Sequence, residues 1–282
     1  MDKKLFNNII TQALKEDAAK EDITTNALVP ASSTTEAVIL FKEDAVLCGL
    51  SIARQVFQNL DKNILFRTDL KDGDAVKKNS KVAFIKGKTR AILTGERTAL
   101  NFLGYLSGIA TNTRQFVDRI KPFKTKILDT RKTTPGLREL EKYAVRCGGG
   151  YNHRTSLKDM VLIKDNHRVI SKRHLSLVEM IEQCRTKTKK PLEIEVDNLT
   201  QLQEALRGNP DYILLDNMSI PQLKQAVKIT RSSSHKKPLL EASGGIRPNN
   251  VKAIAQTGVD RISIGALTHH RQAIDVSLEI IN

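Results

Sequence analysis

The rhythm of apolar and polar positions changes twice along the chain. Residues 3–19 repeat with helical spacing and predict an opening helix. Residues 36–41 (EAVILF) and 81–85 (KVAFI) are β-like runs, with Asp72-Gly73-Asp74 between them as a turn, so the first hundred residues read as a mixed, antiparallel unit. From Thr94 the period becomes helical, with Ala99, Phe102, Leu103, Leu106 and Ala110 at i, i+3, i+4 spacing. This predicts a long helix, N-capped by Thr94, that leads into a second domain. From residue 126 onward, six short apolar runs alternate with helical segments: 126–128, 160–163, 192–196, 212–215, 238–242 and 261–264. Alternation of this kind predicts parallel βα units closing, or nearly closing, into an α/β barrel.

As those runs end the chain meets Asp129, Lys164, Asp197, Asp216, Ser243 and Gly265. The carboxyl ends of barrel strands form the active-site face, so these residues are expected to converge on one pocket.

Composition narrows the reading. The 282 residues are 40% hydrophobic, enough for a packed core and too many for a disordered chain. Cys48, Cys147 and Cys184 include no C-x-x-C pair, which argues against a disulfide framework or zinc module and for a reduced, cytoplasmic setting. No apolar run is long enough for a membrane span, and Asn7 and Asn8 interrupt the start of the chain where a signal peptide would need an apolar stretch. The net charge is +15, but residues 1–100 carry only +3 and residues 121–168 carry +7. A basic segment suits a solvated face, a nucleic-acid track or a polyanion pocket. The nucleic-acid reading is disfavoured, because Trp is absent, aromatic platforms are few, and the cations are interleaved with strand ends and carboxylates.

Within that segment Thr130-Arg131-Lys132 follows the first barrel strand, and Thr134-Pro135 is suited to be N-cap and N1 of a helix over 136–147. Two cations before a helix start fit a phosphate or carboxylate, while a capped helix with solvated charges is the competing account. Gly148-Gly149-Gly150 is a helix stop or a close approach to a ligand, and it leads to His153-Arg154 and later to Lys164 and His167. Each histidine alone reads equally as a structural hydrogen-bonder. Glu193, Glu195 and Asp197 share one strand face, and Glu195 with Asp216 offers hard oxygens for Mg²⁺ held with substrate phosphates; an ion pair of Glu195 with Lys164 is the structural alternative. Ser243-Gly244-Gly245 and Gly265-Ala266 follow the last two strands, where barrels bind phosphate through backbone amides, or where an exposed turn would also sit.

Taken together, ERTALNFL (96–103), DTRKTTPGLRELEKYAVRCGGGYNHR (129–154), LIKDNH (162–167), EIEVDNL (193–199), LLDN (214–217), EASGGI (241–246) and TGVDRISIGALTH (257–269) resemble the quinolinate phosphoribosyltransferase family over about two-thirds of the chain. The resemblance implies an N-terminal α/β sandwich domain (1–108) joined by a C-terminal helix (269–282). It also implies an α/β barrel of about six parallel strands (109–268), the type II phosphoribosyltransferase architecture. The implied reaction joins quinolinate and phosphoribosyl pyrophosphate with Mg²⁺ and decarboxylation, in a homodimer with shared active sites or a hexamer of such dimers. Carried over by residue, Arg131, Arg154 and a neighbour's Arg97 hold the acid's carboxylates. Thr130, Lys132, His153 and Lys164 complete the polar pocket. Glu195 and Asp216 face ribose and metal, directly or through water, and Ser243, Gly244, Gly245, Gly265 and Ala266 cradle phosphate. Thr155-Ser156 and His270 depart from the family pattern. A related enzyme acting on another acid, such as nicotinate, is the alternative, and three arginines favour a dicarboxylate.

Overall fold

The computed structural model describes residues 3–171, 175–235, 237–270 and 272–281. It divides into two compact units, Met1–Asn112 with Arg146–Gly149 and Arg271–Asn282, and Thr113–Val145 with Gly150–His270. In chain order the first unit contributes α1 (Lys3–Glu16), α2 (Ile23–Leu28), β1 (Thr34–Phe41), β2 (Ala45–Val46), α3 (Leu50–Leu60), β3 (Leu65–Arg67), β4 (Ala75–Val76) and β5 (Ser80–Lys88). α4 (Thr89–Arg119) begins in the first unit and ends in the second, so the division between the compact units falls inside this helix, after residue 112. The second unit holds β6 (Lys126–Leu128), α5 (Arg138–Cys147) up to Val145, β7 (Val161–Ile163), α6 (Asp165–Ser171), α7 (Leu177–Lys187), β8 (Leu192–Val196), α8 (Leu199–Arg207) and β9 (Tyr212–Asp216). It continues with α9 (Ile220–Ser232), β10 (Leu239–Ser243), α10 (Val251–Ala255), β11 (Arg261–Ser263) and α11 (Ala266–His269); β12 (Val276–Ile281) returns to the first unit.

The first unit is built on an antiparallel sheet of order β12-β1-β5-β3. β1 is interior to that sheet, and Ala37–Phe41 are buried without alternation because both strand faces are covered. Two expectations fail here. The C-terminal segment is no helix: Val276–Ile281 pairs with β1 in register from Phe41↔Val276 to Glu36↔Ile281. An unfilled edge of β1 offers a full row of backbone partners, which a six-residue helix cannot match. Thr94 is also no N-cap. α4 starts five residues earlier, where Thr89 N–H donates to Ser33 O at 2.9 Å, and the Thr94 hydroxyl donates to Asp22 Oδ2 at 2.8 Å.

The second unit is a parallel sheet of order β6-β11-β10-β9-β8-β7 with a helix after most strands, and Tyr151 adds a parallel bridge outside β6 at Leu128. The six strands are the six apolar runs. Ile194, Val196, Ile213, Leu215, Leu240, Ala242 and Ile262 are buried, and the opposite parity carries Glu193, Glu195, Asp216, Glu241 and Ser243. Helix starts are locally encoded: Ser176 and Glu179 form a capping box on α7, and the Asn198 side chain accepts from Gln201 N–H at 2.9 Å on α8. α5 starts at Arg138, not at Pro135. Thr134–Leu137 is instead a separate turn closed by Leu137 N–H to Thr134 O at 3.1 Å, with Gly136 at φ +82°. A left-handed residue interrupts the helical path there. Among the described residues no helix is long and apolar enough to cross a membrane.

Candidate active site

The polar groups gather at the carboxyl ends of the parallel strands. After β6, Thr130 Oγ1 accepts from Lys132 N–H at 3.0 Å, and Thr268 at the end of the sheet donates its hydroxyl to Lys132 O at 2.7 Å. These bonds fix the loop that carries Arg131 and Lys132. The Lys132 side chain lies over Gly265, where an added Cβ would come 3.0 Å from Lys132 Cδ, a tight contact that would push the lysine aside. Arg131 keeps a buried Nε without a hydrogen-bond partner, a donor left for something outside the protein.

Asp129, expected at the open rim, is buried beneath it. Its Oδ1 accepts from Lys142 Nζ at 2.5 Å and His153 N–H at 2.8 Å, and its Oδ2 accepts from Asn152 Nδ2 at 2.5 Å. Lys142 Nζ donates in turn to His153 O at 3.0 Å. Burial raises the Asp129 carboxyl and lowers the Lys142 ammonium, and each is opposed by the other's charge. This ion pair locks residues 152–153 from both sides. Arg138 adds a second clamp, donating from Nε to Thr133 Oγ1 and from Nη1 to Thr155 O, both at 3.0 Å, and so ties the two cationic loops together.

His153 is buried, with both ring nitrogens engaged inside the protein. Arg154 N–H donates to Nδ1 at 2.8 Å, which leaves the proton on Nε2, 2.8 Å from Glu193 Oε2. Burial lowers its pKa, so it stands as a neutral ring beneath Arg154. Glu241 Oε1 lies 3.5 Å from Nε2, and Arg261 Nη2 pairs with Glu241 Oε2 at 2.5 Å. The Glu193 and Glu241 carboxyls are each pushed up to about 7 by burial. Arg154 itself is half-buried and donates from Nη1 to Met160 O at 3.0 Å. Its pKa is lowered by burial and then by the like charge of Arg131, which puts the two guanidiniums in one field.

Opposite these cations, oxygens of Glu195, Asp197 and Asp216 lie within 4.8 Å of one another. Glu195 is raised by burial and by Asp216; Asp216 is raised by burial and by Asp197 and Asp165, with Lys132 acting the other way. Asp197 is held by Arg168 Nη2 at 2.8 and 3.0 Å. Lys164 is exposed and lowers both Glu193 and Glu195 by its charge, but it forms no ion pair with Glu195. Three crowded hard oxygens that repel each other fit a divalent cation such as Mg²⁺.

Beside them, Asn217 N–H donates to Ser243 O at 2.9 Å, and Asn217 Nδ2 donates to Asp216 Oδ2 at 2.7 Å. Gly244 has φ +91°, and an added Cβ would fall 2.1 Å from Asn217 Oδ1. Gly245, at φ +62°, has open space where its side chain would be. Ser243, Gly244, Gly245, Gly265 and Ala266 therefore lie at the ends of β10 and β11, next to the carboxylates and Lys132. Thus Thr130, Arg131, Lys132, Arg154, Lys164, Glu195, Asp216 and the glycine turns share one rim, with His153 below it. Arg97 belongs to the first unit, exposed on α4. Sequence reasoning missed Lys142, Arg138, Glu241 and Asn217. The available signal for Lys142 was a charge one turn before the apolar Val145 on the same side of α5.

Two family profiles cover nearly the whole chain: the quinolinate phosphoribosyl transferase N-terminal domain matches residues 22–107, and the C-terminal domain matches residues 109–279. A Synechocystis protein named a probable nicotinate-nucleotide pyrophosphorylase (carboxylating) is 41% identical over 276 residues, spanning 96% of this chain and 91% of its own. A Mycobacterium leprae nicotinate-nucleotide pyrophosphorylase (carboxylating) is 40% identical over 277 residues, spanning 96% and 95%. The solved structure of the Francisella tularensis nicotinate-nucleotide pyrophosphorylase superposes with a TM-score of 0.92 at 41% identity, covering 100% of this chain and 98% of that one. With a parallel sheet that gathers cations, carboxylates and glycine turns at one end, and with similarity spanning both units, this chain belongs to the quinolinate phosphoribosyltransferase family.

Proposed function

We propose that this protein transfers the phosphoribosyl group of phosphoribosyl pyrophosphate to quinolinate and releases pyrophosphate, CO₂ and nicotinate mononucleotide, a step in NAD biosynthesis. The observation that carries this reading is the juxtaposition of Arg131 and Arg154 with Lys132, Asp216 and the Ser243–Gly245 turn on one rim. One half of the rim suits a dicarboxylate and the other a phosphorylated sugar. Arg131, with its unpartnered Nε, and Arg154 orient the acid so that the ring nitrogen faces C1 of the ribose. The nitrogen lone pair forms the N–C1 bond as the C1–O bond breaks and its electron pair leaves with pyrophosphate. Glu195 and Asp216 face the positive charge that develops on the sugar, and Lys132 and Lys164 face the departing phosphates. The bond from ring carbon to the 2-carboxylate then breaks. Its electron pair remains on the ring beside the cationic nitrogen and takes a proton from water, while CO₂ leaves. His153 acts by holding the Arg154 backbone.

Glu195, Asp216 and Asp197 would hold Mg²⁺, directly or through water, and the ion would screen the pyrophosphate charge. Arg97 completes the acid pocket of a second subunit in a homodimer. The reaction belongs in the cytoplasm, a reading that three free cysteines support. The assay is incubation with phosphoribosyl pyrophosphate, Mg²⁺ and either quinolinate or nicotinate, following CO₂ and nicotinate mononucleotide. Quinolinate turnover is the expected result. Turnover of nicotinate with none of quinolinate would overturn the assignment.

A further inference from the structure

The other end of the second unit's sheet is open as well. A cavity of about 640 Å³, in the size range of small-molecule sites, lies at the amino ends of β6, β9, β10 and β11, and none of the rim residues lines it. Its lining includes Arg261, whose guanidinium lies 4.3 Å from the Tyr212 ring centre, with Nη2 paired to Glu241 and Nε buried without a hydrogen-bond partner. On its wall Lys126 Nζ stands 4.7 Å from the Tyr151 ring centre. Tyr151 is 50% exposed and Leu239 43%, so both offer surface to a ligand in the cavity. Lys124 and Lys126 are exposed, and neither has an ion-pair partner among the described residues. The one lining carboxylate, Asp260, is already held by Arg231 Nη2 at 2.7 Å and Leu240 N–H at 2.7 Å. The cavity therefore combines aromatic and aliphatic surface with two exposed lysines that no carboxylate among the described residues neutralises, Lys126 resting against Tyr151.

We propose that this amino-end cavity is a second binding site, distinct from the catalytic rim, for a nucleoside 5′-monophosphate. The phosphate sits at Lys124 and Lys126, and the base lies against Tyr151, Leu239 and Tyr212. The charge calls for an anion, the rings call for a flat heteroaromatic body, and the volume takes both together. Neither half alone satisfies both sets of groups.

The test uses the full chain and adenosine 5′-monophosphate as probe, by calorimetry, in the wild type, in a Lys124→Ala/Lys126→Ala double variant and in Lys132→Ala, whose altered lysine is on the catalytic rim. Saturable binding is expected in the wild type and in Lys132→Ala, and about tenfold weaker or worse in the double variant. Adenosine and inorganic phosphate should each bind more weakly than the joined molecule. Photolabelling with 8-azidoadenosine monophosphate should modify peptides that contain Tyr151 or Tyr212. No saturable binding overturns the proposal. So does binding that survives in the double variant or is lost in Lys132→Ala, because the probe would then occupy the catalytic rim or no defined site.

Discussion

Arg154 shows how one residue is prepared for an anion. Its backbone N–H is fixed on His153 Nδ1 and its Nη1 on Met160 O, while burial and the Arg131 charge both work against its own charge. A carboxylate placed between the two guanidiniums relieves that strain, so the pair binds an acid more strongly than two free arginines would. Arg154→Ala should raise the quinolinate KM and lower kcat/KM by the loss of a charge-assisted bond, about 1.5–3 kcal/mol, or one to two decades; unchanged steady-state kinetics would remove it from the site. Glu241 illustrates the opposite case, a buried acid with no substrate to meet. Its folded pKa of about 7 exceeds the ordinary 4.5 because burial disfavours the charge, with Glu193 adding to the effect and His153 and Arg261 opposing it. Between those two values the folded protein holds a proton that the unfolded chain has released, so this group's stabilising contribution declines as pH rises through the window. Glu241→Gln lacks that proton exchange. Its Tm, measured across the window by scanning calorimetry, should therefore gain on the parent's as pH rises, and a constant difference would contradict the raised pKa.

At the scale of elements, α5 does more than cover the sheet. It delivers Lys142 into the interior against Asp129, and the pair holds residues 152–153 in place at the foot of Arg154. Lys142→Met removes one partner and leaves Asp129 buried and unpaired, a change that costs about 3–5 kcal/mol. A large drop in Tm is the expected outcome, and a variant as stable as the parent would show that the pair is not the lock. The six parallel strands were legible because each is a short apolar run followed by a polar strand end, and the alternation of Glu193 and Glu195 with Leu192, Ile194 and Val196 showed which face is polar. β12 was not legible. Its apolar positions 276, 278, 280 and 281 satisfy both a strand and a short helix, and its partner β1 lies more than two hundred residues earlier, so only tertiary pairing decides. The start of α4 was hidden for a related reason. Thr89 is placed by a bond to Ser33 O, and Thr94, a plausible cap by type, is used as a donor to Asp22. The cations of the rim could be found by their spacing after strand ends; the buried groups that hold them could not, because their partners sit on other elements.

For the molecule as a whole, the question is whether Arg97 serves a site. It is exposed on α4, in a different unit from the other site residues, and it has no hydrogen-bond partner among the described residues. By spacing alone it is a solvated helical arginine beside the apolar stripe of Ala99, Phe102 and Leu103. An isologous dimer changes that role, because each subunit then lends its Arg97 to the other's rim. Complementation between inactive variants tests this arrangement. Arg97→Ala and Lys164→Ala homodimers should each be nearly inactive. A mixed dimer has one site lacking both side chains and one site with both intact. When subunits exchange freely in an equal mixture, about half of the dimers are mixed, so about a quarter of the wild-type number of sites should return. Recovery near that fraction, with mixed dimers verified by native mass spectrometry, establishes the shared site. Full exchange without recovered activity would place Arg97 and Lys164 in the same subunit's site, or leave Arg97 as a surface charge, and the exposed arginine would then owe its position to solvation alone.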